Sequence, residues 1–171
     1  TPIGNARDIT LRALDILRNC DVIACEDTRV TSKLLSLHDI SAKLIPYHEH
    51  NAEKARPAII RRVKNGETVA LVSDAGTPVV SDPGLNLVQA FAKEGLPVTA
   101  LPGPSATLTA LVLSGLPSDR FLFAGFLPSK SGKRKKALGE LANTPATLIF
   151  LESAKRLAAS LADMAEILGP R

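Results

Sequence analysis

Aromatic residues make up only 4% of the 171 positions and tryptophan is absent. Cysteine is scarce too: Cys20 and Cys25 are the only two, and neither their number nor their spacing makes a disulfide framework or a zinc site. Both read as small core residues. No apolar run approaches the roughly 20 residues of a membrane span, and the opening residues do not resemble a signal peptide. The expectation is a soluble, cytoplasmic protein without a membrane partner. The dinucleotide fingerprint G-x-G-x-x-G and the phosphate loop G-x-x-x-x-G-K-[ST] are both missing, as are a serine nucleophile elbow and a cysteine beside an obvious histidine. Histidine occurs three times, and His48-Glu49-His50 lacks the third ligand that a catalytic zinc requires, so no metal is expected.

With 45% hydrophobic residues, the chain can bury one good core and part of a second. Strand and helix signals alternate along it. Helices are predicted over 8–19, 28–37 (Leu34, Leu35 and Leu37 inward), 52–64, 84–93 and 105–113, and strands over 22–25, 44–46, 68–73 and 98–101. Without hairpin signals this series predicts an α/β fold, a mainly parallel sheet with helices on both faces. At Gly115-Leu116-Pro117-Ser118 the pattern pauses, and a domain boundary is expected at 117/118. Beyond it come strands at 121–126 and 146–151 and helices at 133–142 and 153–168, too little to close a core alone. Both ends therefore read as cut: Thr1–Asn5 is a strand-to-helix loop whose strand is expected upstream, and Gly169-Pro170-Arg171 falls within a smaller second α/β domain, 118–171.

Two loops stand out. Val72-Ser73-Asp74-Ala75-Gly76-Thr77-Pro78-Val79-Val80-Ser81-Asp82-Pro83-Gly84 follows an apolar strand, and Leu101-Pro102-Gly103-Pro104-Ser105-Ala106 follows the next. Glycine and proline set close-approaching, rigid backbone there. Ligands of open α/β sheets bind beyond the carboxyl ends of strands, so the two loops mark one site. Charge is uneven as well. Residues 1–117 hold 12 Lys+Arg and 12 Asp+Glu, whereas 118–171 hold 9 and 5, so the entire net charge of +4 lies in the last third. Most of it belongs to Lys130, Lys133, Arg134, Lys135 and Lys136. That cluster reads either as a solvated helix start or as a contact to a phosphate backbone; it has no aromatic platform for base stacking.

Seven segments carry a resemblance: Thr1-Pro2-Ile3-Gly4-Asn5, Glu26-Asp27-Thr28-Arg29, His48-Glu49-His50-Asn51, Ser73-Asp74-Ala75-Gly76-Thr77-Pro78, Ser81-Asp82-Pro83-Gly84, Pro102-Gly103-Pro104-Ser105-Ala106 and Gly125-Phe126-Leu127-Pro128. In this order the chain resembles the ribosomal RNA small subunit methyltransferase I family, a branch of the tetrapyrrole-methylase-like methyltransferases. The resemblance implies two α/β domains around a folded S-adenosylmethionine (SAM), a homodimer, and methylation of a cytidine 2′-hydroxyl in 16S rRNA, free or in the assembled small subunit. The chain departs from the family where Leu151 and Lys155 stand in place of the usual tyrosine and histidine, which removes any role of those two positions in stacking or proton transfer.

On that resemblance, Ile3 and Gly4 approach SAM from the first loop, Asp74, Ala75, Gly76, Thr77, Pro78 and Val80 from the long one, and Gly103, Pro104, Ser105 and Ala106 from the third. A turn requirement explains the glycines and prolines equally well. Methyl transfer to a hydroxyl needs alignment, exclusion of water and a base. Glu26 or Asp27 is the candidate base, with Arg29 holding a phosphate or tuning the pair, and a helix cap is the plainer role for Asp27. His48, His50 and Asn51 would line an RNA entrance, and the basic cluster would grip phosphates. A tetrapyrrole or protein substrate, or an RNA-binding module without catalysis, are the competing readings.

Overall fold

A computed structural model describes residues 1–169 of the chain; Pro170 and Arg171, at the expected cut end, lie outside the described residues. Its residues gather into two compact units, Thr1–Ser105 and Ala106–Arg171. The division falls upstream of the 117/118 boundary expected from sequence, because the helix over 106–114 contacts elements of the second unit.

In the first unit a parallel sheet has the order β2-β1-β3, from β1 (Val22–Cys25), β2 (Leu44–Pro46) and β3 (Val69–Val72). β1 is central, and all four of its residues are buried. Successive side chains alternate across a strand, so this one segment supplies two cores. Ile23 and Cys25 join Leu14 and Leu17 of α1 (Leu11–Asn19) and Leu35 of α2 (Thr28–Leu37) on one face. Ala24 joins Tyr47, Ile59 of α3 (Ala52–Lys64), and Leu87 and Phe91 of α4 (Leu85–Lys93) on the other. An uninterrupted apolar strand is what a sheet covered on both faces requires. Cys20 and Cys25 are free and buried, and desolvation raises both thiol pKa values, which makes them packing residues.

Three local expectations are corrected. The helix predicted from residue 8 begins at Leu11, with Thr10 as its cap, the Thr10 hydroxyl accepting from the Ala13 amide at 3.2 Å. Leu37 is 66% exposed, since it lies two positions from the buried Leu35 and so on the opposite side of α2. Residues 98–101 form no strand: they have no ladder partner in the described sheet, and Arg12 donates to the Ala100 carbonyl instead (3.3 Å). β-branched composition makes a strand only where a neighbouring edge is available.

The second unit contains α5 (Ala106–Ser114), β4 (Phe121–Phe126), α6 (Ser131–Leu141), β5 (Thr147–Leu151) and α7 (Ala154–Leu168). β4 and β5 pair in parallel, with a register shift between Phe123 and Phe126 where Gly125 takes φ +65°. Leu111, Leu127, Leu138 and Ile149 are buried, while Phe121 and Phe126 remain 42% and 60% exposed.

Candidate active site at the carboxyl edge of the first sheet

Because the three strands are parallel, the segments that follow them leave from one edge: Glu26-Asp27 after β1, Tyr47–Asn51 after β2, and the long Ser73–Gly84 loop after β3. Hydrogen bonds tie the first loop to the third. The Thr1 nitrogen donates to the Gly76 carbonyl (2.8 Å) and the Gly76 amide donates back to the Thr1 carbonyl (2.9 Å). The Thr1 hydroxyl reaches the Ser73 carbonyl at 2.7 Å. Thr77 Oγ1 donates to the Pro104 carbonyl at 3.0 Å, which brings in the loop at 102–105.

Gly76 sits at φ +84°, and a Cβ there would lie 3.4 Å from Ile3 Cδ1 and 3.8 Å from the Pro104 carbonyl oxygen. Glycine is thus required by the backbone, and it leaves a cradle between the three turns that any side chain would fill. Val79, at φ +76°, and Ser81, at φ +60°, hold strained conformations within the same loop. A β-branched residue in the left-handed region persists only where its surroundings force it, and such strain gathers at ligand sites. Nothing in the sequence marks Val79 for this. Ser105 closes the third loop, and Ala106 opens α5 in the second unit.

Glu26, Asp27, Asp74 and Asp82 form the acidic part of the site. Glu26 and Asp74 adjoin: the Asp27 amide donates to Asp74 Oδ1 at 3.1 Å, and the Asp74 backbone lies near enough to the Glu26 carboxylate to oppose part of the rise in its pKa. Burial raises the Glu26 pKa above the ordinary glutamate value, and the charges of Asp74 and Asp82 push the same way. Asp82 is raised by burial and by Asp74. Asp82 is not among the site residues expected from sequence, and its Ser-Asp-Pro-Gly setting is the one signal there. None of Glu26, Asp74 and Asp82 is ion-paired with Lys or Arg among the described residues.

Asp27 differs from its neighbour. It caps α2, its Oδ1 accepting from the Arg29 amide at 2.8 Å, and the Arg29 guanidinium grips its Oδ2 at 2.6 Å. The Arg29 hydrogen bonds bring the Asp27 pKa down to about 2. So strong an acid is a poor proton acceptor. The pair therefore divides into a structural cap, Asp27, with Arg29 held against it, and a carboxylate of raised basicity, Glu26.

In the segment after β2, Asn51 is spent on the turn: Oδ1 accepts from the His48 amide (2.9 Å) and Nδ2 donates to the Pro46 carbonyl (3.0 Å). The His48 and His50 rings meet edge to face, with centroids 6.1 Å apart. His48 lies near enough to Glu26 to oppose the rise of its pKa, and His50 is exposed.

The basic cluster belongs to the second unit, and its members separate. Lys130, Lys133 and Lys136 are exposed. Arg134 is 3% exposed, ion-paired to Asp163 at 2.7 Å, and donates to the Pro128 (3.2 Å) and Ser129 (3.1 Å) carbonyls. Lys135 is held by Glu166 at 2.6 Å. Arg134 thus locks α6 to α7 and is not presented to a phosphate. Glu152 is similarly inward: it accepts from Arg156 (2.7 and 2.8 Å) and from Ser160 (2.6 Å), which bring its pKa down to about 2, while Arg156 also donates to the Leu127 carbonyl.

The family model of tetrapyrrole (corrin/porphyrin) methylases matches residues 1–171. A ribosomal RNA small subunit methyltransferase I from Mesorhizobium japonicum is 57% identical over 169 residues, 99% of this chain and 58% of the relative. One from Halalkalibacterium halodurans is 52% identical over 171 residues, 100% of this chain and 59% of the relative. The chain thus spans less than two thirds of the length of these relatives. Among solved structures, a cobalamin biosynthetic enzyme, cobalt precorrin-4 methyltransferase, shares the fold with a TM-score of 0.68 at 16% identity, over 95% of this chain and 70% of that one.

Proposed function

The chain belongs to the tetrapyrrole (corrin/porphyrin) methylase family, and on that premise we propose that it transfers a methyl group from SAM to the 2′-hydroxyl of a cytidine in small-subunit ribosomal RNA. The observation that carries the reading is the lacing of the three turns at one sheet edge through Thr1, Gly76 and Pro104, directly beside a carboxylate of raised pKa.

The residues present suit SAM. Gly76 leaves a cradle that a Cβ would fill, and the unpaired carboxylates of Glu26, Asp74 and Asp82 give the edge a negative potential that favours a sulfonium cation. SAM supplies an electrophilic methyl group whose thioether leaves without acid assistance. Ile3, Gly4, Ala75, Gly76, Thr77, Pro78 and Val80 would hold it, with Gly103, Pro104 and Ser105 from the third loop. Glu26 accepts the ribose hydroxyl proton as the new C–O bond forms, and its raised pKa makes it the better base of the Glu26-Asp27 pair. Rigid turns contribute alignment, which is the larger part of the task.

Lys130, Lys133 and Lys136 would contact RNA phosphates, and His48 and His50 would border the entrance. The substrate is ribosomal RNA, free or in the assembled small subunit, which sets the protein in the cytoplasm. A second copy of the chain would cover the apolar surface of α5, where Val112 and Leu113 are each 80% exposed. Among the described residues no helix is long and apolar enough to cross a membrane. Titration with SAM, followed by tritium transfer from labelled SAM to assembled small subunits, tests the proposal. SAM binding with label in RNA upholds it; label only in a tetrapyrrole or a protein, or binding of RNA without SAM, overturns it.

A further inference from the structure

Between the first loop and α2 lies a cavity of about 200 Å³ that shares Gly4 with the turns proposed to hold SAM and extends from it to the side of α2. Its walls are Pro2, Val30, Leu34 and Leu37, and its polar end is Ser73 and Asp74. The size is below the roughly 300–1,000 Å³ of sites for whole drug-sized ligands, so it suits one ring system rather than an entire cofactor. Thr31 also lines it; this residue is 3% exposed, and its hydroxyl faces the buried Cys25 thiol rather than the cavity's polar end. Ile3, by contrast, turns its side chain to Gly76 and the third loop, so the cofactor cradle and this cavity flank the same first loop.

We infer that the cavity receives the base of the acceptor nucleotide, an aminated pyrimidine, and that Asp74 selects it by accepting from the exocyclic amino group. Apolar walls from Pro2, Val30 and Leu34 suit the faces of a heteroaromatic ring. Asp74 Oδ1 is occupied by the Asp27 amide, whereas Oδ2 receives no hydrogen bond among the described residues. A carboxylate accepts from the amino group of cytosine and repels the carbonyl that uracil has in its place. The acceptor base would then sit across the first loop from the donor, with Glu26 next to Asp74 to meet the ribose hydroxyl. The inference rests on the RNA methyltransferase reading above, and its test separates the two.

In the full-length protein, Val30→Trp and Leu34→Trp fill the cavity, and Asp74→Asn keeps an Oδ1 for the Asp27 amide while offering an N–H beside it. Val30 is 41% exposed, so its replacement leaves the core intact should Leu34→Trp fail to fold. Two probes are used: binding of cytidine and uridine monophosphates to the SAM-loaded protein, and methyl transfer to small subunits bearing cytidine or uridine at the acceptor position. The expected result is that either tryptophan weakens cytidine monophosphate binding about tenfold or more while SAM affinity stays within about twofold, and that Asp74→Asn lowers the cytidine-over-uridine ratio about tenfold. Loss of SAM affinity in parallel with the nucleotide's would assign the cavity to the donor and overturn the inference. An unchanged ratio in Asp74→Asn would overturn the role of Asp74. Absence of RNA methylation by the unaltered protein, with preferential cytidine monophosphate binding that Val30→Trp removes, would refute the proposed function and uphold the cavity.

Discussion

Replacing Gly84 by alanine tests whether the long loop is held by packing as well as by backbone conformation. Gly84 caps α4 at φ +137°, ψ −23°. A Cβ at this position would lie 2.8 Å from Leu71 Cδ2 and 3.0 Å from Val79 Cγ2. Leu71 packs against the Ala24, Tyr47 and Leu87 cluster, and Val79 is already strained, so neither can move freely. Forcing an L-residue into positive φ costs about 1–2 kcal/mol and overpacking a further 1–3 kcal/mol, roughly 2–5 kcal/mol together. For a chain of this size that lowers the melting temperature by about 4–20 °C. Gly66 is the control: it has φ +89° with nothing within 4 Å of the added Cβ, so Gly66→Ala carries the backbone part alone, about 1–2 kcal/mol. Thermal melts of both variants at one protein concentration separate the two contributions, and SAM titration of Gly84→Ala is expected to show a weakened site because the displaced Val79 belongs to the loop proposed to hold SAM. Equal losses in the two variants would refute the packing argument, and a Gly84→Ala melt within about 1 °C of the parent would refute both parts.

Glu26→Gln lowers the methyl-transfer rate about a hundredfold or more with SAM affinity unchanged, and single-turnover transfer measures it. Because the folded-state pKa of Glu26 is raised above 4.5, its ionised form disfavours folding at neutral pH; the neutral variant therefore melts higher, and it loses the acid limb of the rate profile. Removing Lys130, Lys133 and Lys136 together flattens the salt dependence of RNA binding by a slope of about 2, whereas Arg134→Ala lowers the urea midpoint and leaves that slope unchanged. A reduced slope with Arg134→Ala would contradict its burial. Glu152 has its pKa depressed from 4.5 to about 2, so the stability it contributes is present above pH 4.5 and is lost as pH falls towards 2. Acid titration of the fold followed by circular dichroism shows this loss over that window, and in Glu152→Gln it is absent.

Much of the fold was legible because its signals are local. Val22-Ile23-Ala24-Cys25 is an apolar run with no polar side, which already specifies a strand covered on both faces, and glycine and proline after Val72 specify a rigid turn beyond a strand. The sequence therefore determined the alternating order, the parallel sheet, the buried cysteines and the segments that leave the carboxyl edge of the sheet. Tertiary structure alone decided which of two adjacent carboxylates is basic, since Asp27 meets Arg29 and the α2 amides while Glu26 meets Asp74 and Asp82, and sequence does not record those distances. It likewise turned Arg134 inward to Asp163 and left residues 98–101 without a ladder. Charge and strand propensity belong to single residues, but desolvation, ion pairing and ladder formation belong to pairs brought together only by folding.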